Sequence, residues 1–259
     1  MKYILASDID GTILINEEIS REALDGIKKL KEAGHSFVLC TGRDFSNTKI
    51  VFEKYDLPID GLVLCNGAFI LDNHFNVYFE DCIKKETVEA IYKAFNEKEG
   101  YYLACVDGYE IYMDRWPDFI DQMSLRVKKI TKEQMKNQFE QIKLMSLVIL
   151  DASIEKAEEI KNELNERYGE EIVAYRNQTF IDIVPKGCSK ATGIERLMKK
   201  LESTKEQICV IGDSWNDLSM FEGYPLSYTF NHAEHELKSY VKHTVDTFEE
   251  CISHLLNKK

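Results

Sequence analysis

Four short apolar runs constrain the fold of this chain more than any other feature. They are YILAS (3–7), HSFVLC (35–40), LVLC (62–65) and ICVIGD (208–213), and each gives way to polar residues at its carboxyl end. Within the runs the apolar character is continuous rather than alternating, as expected of strands buried on both faces. Helical patterns separate them. The helix expected over 20–33 has Ser20 to cap its first turn, Ile19 and Leu24 spaced to staple it, and Gly34 to end it. A second helix is expected over 45–55. Strands alternating with helices predict a parallel sheet covered on both sides.

The pattern changes after about residue 83. Up to that point, FILDNHFNVYFED after the third run reads as a hairpin; beyond it, KKETVEAIYKAFNEK reads as a helix. YYLACVDGYEIYMD places two aromatic and β-branched runs around an Asp-Gly turn, a second hairpin signal. IKLMSLVILD, SIEKAEEIKNELNERYG and EIVAYRNQTFIDIVP follow as strand, helix and two strands. The strand–helix alternation returns from residue 189 and closes on a helix near FEECISHLLNK. The simplest organisation is α/β: a Rossmann-like parallel-sheet core formed by 1–83 and 185–259, interrupted by an inserted α+β domain over 84–184.

Ligands of such sheets bind outside the carboxyl ends of the strands. Those ends carry Asp8, Asp10 and Thr12, then Thr41 in CTGR, then Asn66-Gly67, then Asp213 in GDSWND; PKGCSK adds Lys190 at the opening of a helix. Two aspartates directly behind an apolar run need something to complete them, because carboxylates resist leaving water. Alone, the pair would read as a solvated turn, Thr41-Gly42 as a strand-to-helix turn, and Lys190 as an exposed helical lysine. Their joint placement on strand ends favours chemistry.

The ordered set Asp8-Ile9-Asp10-Gly11-Thr12, Thr41, Lys190 and Gly212-Asp213-Ser214-Trp215-Asn216-Asp217 resembles the four motifs of the haloacid dehalogenase superfamily. The insertion between the second and third motifs, with FIDIVPKGCSK and CNGA, resembles its Cof-type, sugar-phosphatase-like branch. The resemblance implies a phosphatase in which Asp8 attacks phosphorus and Asp10 serves as acid and base. It implies Mg²⁺ on the Asp8 carboxylate, the Asp10 backbone carbonyl and the Asp213 carboxylate. Phosphoryl contacts are implied for Gly11, Thr12, Thr41, Gly42, Lys190 and Asn216, with Asp217 orienting Lys190 and the insert serving as a cap. A phosphomutase and a non-catalytic phosphometabolite sensor are the alternatives.

Composition bounds the partners. A net charge of −12 argues against nucleic acid, and a small phosphorylated metabolite is the expected ligand. Seven scattered cysteines without C-x-x-C spacing suit a reducing cytoplasm, and no run is long and apolar enough for a signal peptide or a membrane span. The cap has no readable substrate code, and oligomeric state is not legible. His232 and His235 read as solvated. Tyr101, Tyr102, Tyr109 and Tyr112 are expected in the core and rim of the inserted sheet. Trp215 is bulky for its motif, and either narrows the mouth of the site or packs beneath the insert. Arg43 is left between substrate contact and solvent.

Overall fold

A computed structural model describes residues 2–122 and 125–258. The chain begins with β1 (Ile4–Ser7), α1 (Arg21–Glu32), β2 (Ser36–Cys40), α2 (Phe45–Lys54), β3 (Gly61–Leu64), β4 (Phe69–Asp72) and β5 (Val77–Glu80). It continues through α3 (Lys85–Phe95), β6 (Tyr101–Val106), β7 (Ile111–Met113), β8 (Val127–Lys129), α4 (Lys132–Gln138), β9 (Leu144–Ile149), α5 (Ile154–Tyr168), β10 (Ile172–Asn177) and β11 (Phe180–Pro185). It ends with α6 (Lys190–Lys200), β12 (Ile208–Ile211), α7 (Leu218–Gly223), β13 (Leu226–Phe230), β14 (His243–Val245) and α8 (Phe248–Leu256).

The larger sheet runs β14-β13-β12-β1-β2-β3-β4-β5. Strands β14 through β3 pair in parallel, and the β4–β5 hairpin adds an antiparallel edge. Successive residues of each central strand face opposite layers, and both layers are apolar. Leu5, Phe37, Leu39, Leu62 and Ile211 pack with Ile27 of α1 and Ile252 of α8. Ala6, Val38, Val63 and Val210 pack with Ile194 and Leu197 of α6 and Met220 and Phe221 of α7. This two-sided burial explains the unbroken apolar runs. β1 lies between β2 and β12, so chain order reverses there and the crevice opens beyond the ends of these three strands.

The second sheet, β10-β11-β9-β6-β7-β8, is antiparallel except for the β7–β8 pair. Its own core joins Val88, Ile91 and Phe95 of α3 to Leu103, Leu147, Ile160, Leu164 and Ile183.

Several expectations are corrected. Beyond ICVIGD the sheet gains two strands that the apolar runs do not mark: β13 is five buried residues interrupted by polar Ser227 and Thr229, and β14 extends the same sheet. The third strand was expected to include Cys65, but Cys65, Asn66 and Gly67 all take positive φ (50, 48 and 91°), which ends β3 at Leu64. Tyr109 leaves the inserted sheet and packs edge-on against Phe69 of β4, with ring centroids 4.9 Å apart, and against Phe45 of α2 at 6.0 Å. Tyr101 and Tyr112 do pack against the insert's core. Among the described residues, no helix is long and apolar enough to cross a membrane.

Candidate active site

Asp8 is the first residue beyond β1, anchored by its amide to the Ile211 carbonyl of β12 at 3.0 Å, and is 5% exposed. Lys190 opens α6 behind its N-cap Ser189, whose hydroxyl accepts from the Thr192 amide. The close approach of α6 depends on glycine: a Cβ on Gly67 would lie 2.0 Å from the Ser189 carbonyl oxygen, and one on Gly193 2.4 Å from Val63. This packing leaves the Lys190 side chain fully buried, with Nζ 2.7 Å from Asp8 Oδ1 and 2.6 Å from Asp217 Oδ1.

Asp217 is likewise 0% exposed, and its Oδ2 accepts the amides of Asp213 and Ser214, each at 3.0 Å. It therefore folds the turn after β12 while holding the lysine. Asp213 accepts the Thr12 hydroxyl at 2.8 Å on Oδ1. Gly11, at φ 78°, passes so close that a Cβ there would meet Asp213 Oδ2 at 2.3 Å. Only glycine fits.

Oxygens of Asp8, Asp213 and Asp217 lie within 4.8 Å of one another. At an effective dielectric of about 20, each such pair of charges repels by roughly 3 kcal/mol, and one ammonium cannot offset three carboxylates. Burial, with Asp217, Asp213 and Asp10 alongside, pushes the Asp8 carboxyl well above its ordinary range despite Lys190. Burial, then Asp217, pushes Asp213 up to about 6. Burial would pull the Lys190 ammonium down, but Asp217 and Asp8 prevail and hold it above its ordinary value. Excess negative charge in a group of hard oxygen donors is what a small divalent cation relieves. Asp217 spends both oxygens on hydrogen bonds. Among the described residues, Asp8 Oδ2 and Asp213 Oδ2 accept none, so these two carboxylates fit the cation best.

The other expected residues are distributed around this centre. Thr41 follows β2 and is 1% exposed; its hydroxyl oxygen accepts the Arg43 amide at 3.1 Å, leaving its proton free. Asn216 is 6% exposed with its side-chain oxygen unpartnered. The Asp10 carboxylate is not in the cluster. It is clamped by Arg43, with Nε 2.7 Å from Oδ2 and an Nη 2.6 Å from Oδ1, and its side chain is 55% exposed. Gly11 and Thr12 differ from expectation: their amides donate within the turn, to Leu14 (3.1 Å) and Ile9 (3.3 Å), and the Thr12 hydroxyl is taken by Asp213. They shape the loop here.

Sequence reasoning missed Asp182. It sits in β11 of the insert, 5% exposed, accepting Ser146 Oγ at 2.9 Å and Asn66 Nδ2 at 3.1 Å. Burial raises its carboxyl, and these two hydrogen bonds only partly restrain it. A Cβ on Gly42 would stand 3.2 Å from its Oδ2, so Asp182 meets the loop between Thr41 and Arg43. The available signal was an acidic residue inside the otherwise apolar FIDIVP.

Comparison with known proteins follows the same lines. The 5-amino-6-(5-phospho-D-ribitylamino)uracil phosphatase YitU of Bacillus subtilis is 25% identical over 259 residues, covering 96% of this chain and 93% of that protein. A putative HAD/COF-like hydrolase from Plasmodium vivax superposes with a TM-score of 0.86 at 19% identity, over 100% of this chain and 96% of the other. A subclass IIB sugar phosphatase superposes at 0.83 with 20% identity, over 98% and 99%; at these identities the structures share the fold. The sequence model of the haloacid dehalogenase-like hydrolases matches residues 5–255, and the chain belongs to that family.

Proposed function

We propose that this chain is a Mg²⁺-dependent phosphatase of a small phosphorylated metabolite, acting through an aspartyl-phosphate on Asp8. The observation that carries the reading is the meeting of Asp8, Lys190, Asp213 and Asp217, from three distant stretches of chain, around one buried cluster of charge. Asp8 and Asp213, with the Asp10 carbonyl, would hold Mg²⁺, which neutralises charge so that a carboxylate can approach a phosphate. An Asp8 oxygen attacks phosphorus as the ester bond breaks. Asp10, once it swings free of the Arg43 clamp and takes up a proton, gives that proton to the leaving oxygen, then takes one from the water that cleaves the acyl phosphate. Lys190, the Thr41 hydroxyl, the Gly42 backbone and Asn216 hold the phosphoryl oxygens, and Asp217 keeps Lys190 charged and aimed.

Residues 84–184 act as the cap, reaching the core loops through Asp182 and Asn177. Named relatives that dephosphorylate a ribitylamino-uracil phosphate support a small metabolite as substrate. The seven free cysteines support a reducing, cytoplasmic setting. Incubation of the purified chain with a panel of phosphorylated metabolites and Mg²⁺ is expected to release inorganic phosphate, and a chelator to stop it. Positional isomers without phosphate release would instead identify a mutase.

The raised carboxyls give a second expectation. A group whose folded pKa exceeds its unfolded value binds more protons when folded, so the metal-free protein loses stability as pH rises from about 4 through about 6. Mg²⁺ must displace that proton, and its affinity is expected to fall by at least about tenfold per pH unit below 6, since Asp8 is raised as well. Thermal shift with Mg²⁺ should therefore be large at pH 7.5 and small at pH 5. An equal shift at both would contradict the assignment of Asp213.

A further inference from the structure

Trp215 lies in the turn that carries Asp213, Asn216 and Asp217, and its indole is held from two sides. Its Nε1–H donates to Glu234 Oε2 at 2.6 Å, and the Arg176 guanidinium carbon stands 5.5 Å from its ring centroid. Arg176 belongs to β10 of the insert and is only 6% exposed. It also pairs with Glu234 at 3.2 Å and with Glu158 of α5 at 3.4 Å. Glu234 is exposed, on the loop between β13 and β14 of the larger sheet. Burial alone would raise its carboxyl, but Arg176 and Trp215 hold it below its ordinary value. Beside Arg176, Asn177 receives the Ser214 hydroxyl at 3.4 Å. The tip of β10 thus grips the outer side of a turn whose inner side faces Asp8.

We propose that Arg176, Glu234 and Trp215 form a clasp through which seating of the insert fixes the Asp213–Asp217 turn, making them positioning residues for the reaction. The transmission is short. Asp217 is two residues from Trp215, and its carboxylate holds Lys190 and the amides of Asp213 and Ser214. When the insert is unseated, Trp215 loses its cation and the turn is free to shift. Substrate must then select the seated fraction, which raises apparent KM by the inverse of that fraction and leaves the saturated rate almost unchanged. A tryptophan carrying a buried arginine across two units gives the bulky residue of this motif a purpose.

The reaction part of this proposal rests on the phosphatase reading; the mechanical part does not. Glu234→Gln keeps shape while removing the charge, and Trp215→Phe keeps an aromatic ring while removing the indole donor. With p-nitrophenyl phosphate and Mg²⁺, each is expected to raise KM about five- to tenfold with kcat within about twofold, the loss of one charge-assisted hydrogen bond. Amide hydrogen exchange over 212–217 should quicken by a similar factor. Exchange at the wild-type rate in both variants overturns the clasp, as does a collapse of kcat at constant KM. If the wild-type chain releases no p-nitrophenol, the phosphatase reading falls, and the exchange measurement alone still decides the clasp.

Discussion

Replacing Asp8 with asparagine is expected to lower phosphate release by at least about 10⁴-fold, a barrier increase of roughly 5–6 kcal/mol, while the chain stays folded. The amide lacks the anionic oxygen that must bond to phosphorus, and neither Asp217 nor Asp10 is free to take its place. Asp217 spends both oxygens on Lys190 and two backbone amides, and Asp10 is turned outward to Arg43. The fold should tolerate the change because the asparagine oxygen still accepts from Lys190, which also keeps Asp217. One of three crowded negative charges disappears, so the metal-free variant should melt no lower than the parent at pH 7.5. Phosphate release and the melting temperature, measured side by side, check both halves. A variant with near-parental turnover would remove Asp8 as the nucleophile.

The parts of this site that were legible in the sequence are those fixed by strand ends. A buried run such as YILAS must stop where the sheet stops, so the polar residues behind it are forced to one edge. That logic reaches Asp8, Thr41, Asn66 and Asp213 without knowing how the strands are ordered. It does not reach contacts made across the insert. Asp182 touches Asn66 over a separation of 116 residues, and Arg176 touches Glu234 over 58; no local period encodes either pairing. Nor does it say how a side chain is spent. Thr12 has the residue type of a phosphate contact, but its hydroxyl is consumed by Asp213, and Gly11 is needed for the nearness of that same carboxylate. The strands β13 and β14 are hard to see for a related reason: LSYTF alternates as a half-exposed strand would, although all five residues are buried, and β14 is only three residues long.

Replacing Lys190 with methionine should produce the largest loss of stability of any single change at this site. The side chain is of similar length and would fill the space, so the effect isolates the charge. Its removal leaves Asp8 and Asp217 facing each other, both buried and without the shared cation. Breaking a buried pair in this way costs about 3–5 kcal/mol, which for a chain of this size lowers the melting temperature on the order of 10 °C. The loss has a pH signature with a definite sign. Lys190 is what lowers the Asp8 carboxyl, so without the ammonium that group lies still further above its unfolded value; the variant binds an extra proton when folded and regains stability as pH falls. The deficit should be greatest at pH 7.5 and shrink toward pH 5. Adding Asp217→Asn should recover much of the stability and none of the activity, since the Asp8 charge is then the only one that had relied on Lys190. A Lys190→Met variant as stable as the parent at pH 7.5 would mean that the three carboxylates do not share their charge through this lysine, and the electrostatic account of the cluster would fail with it.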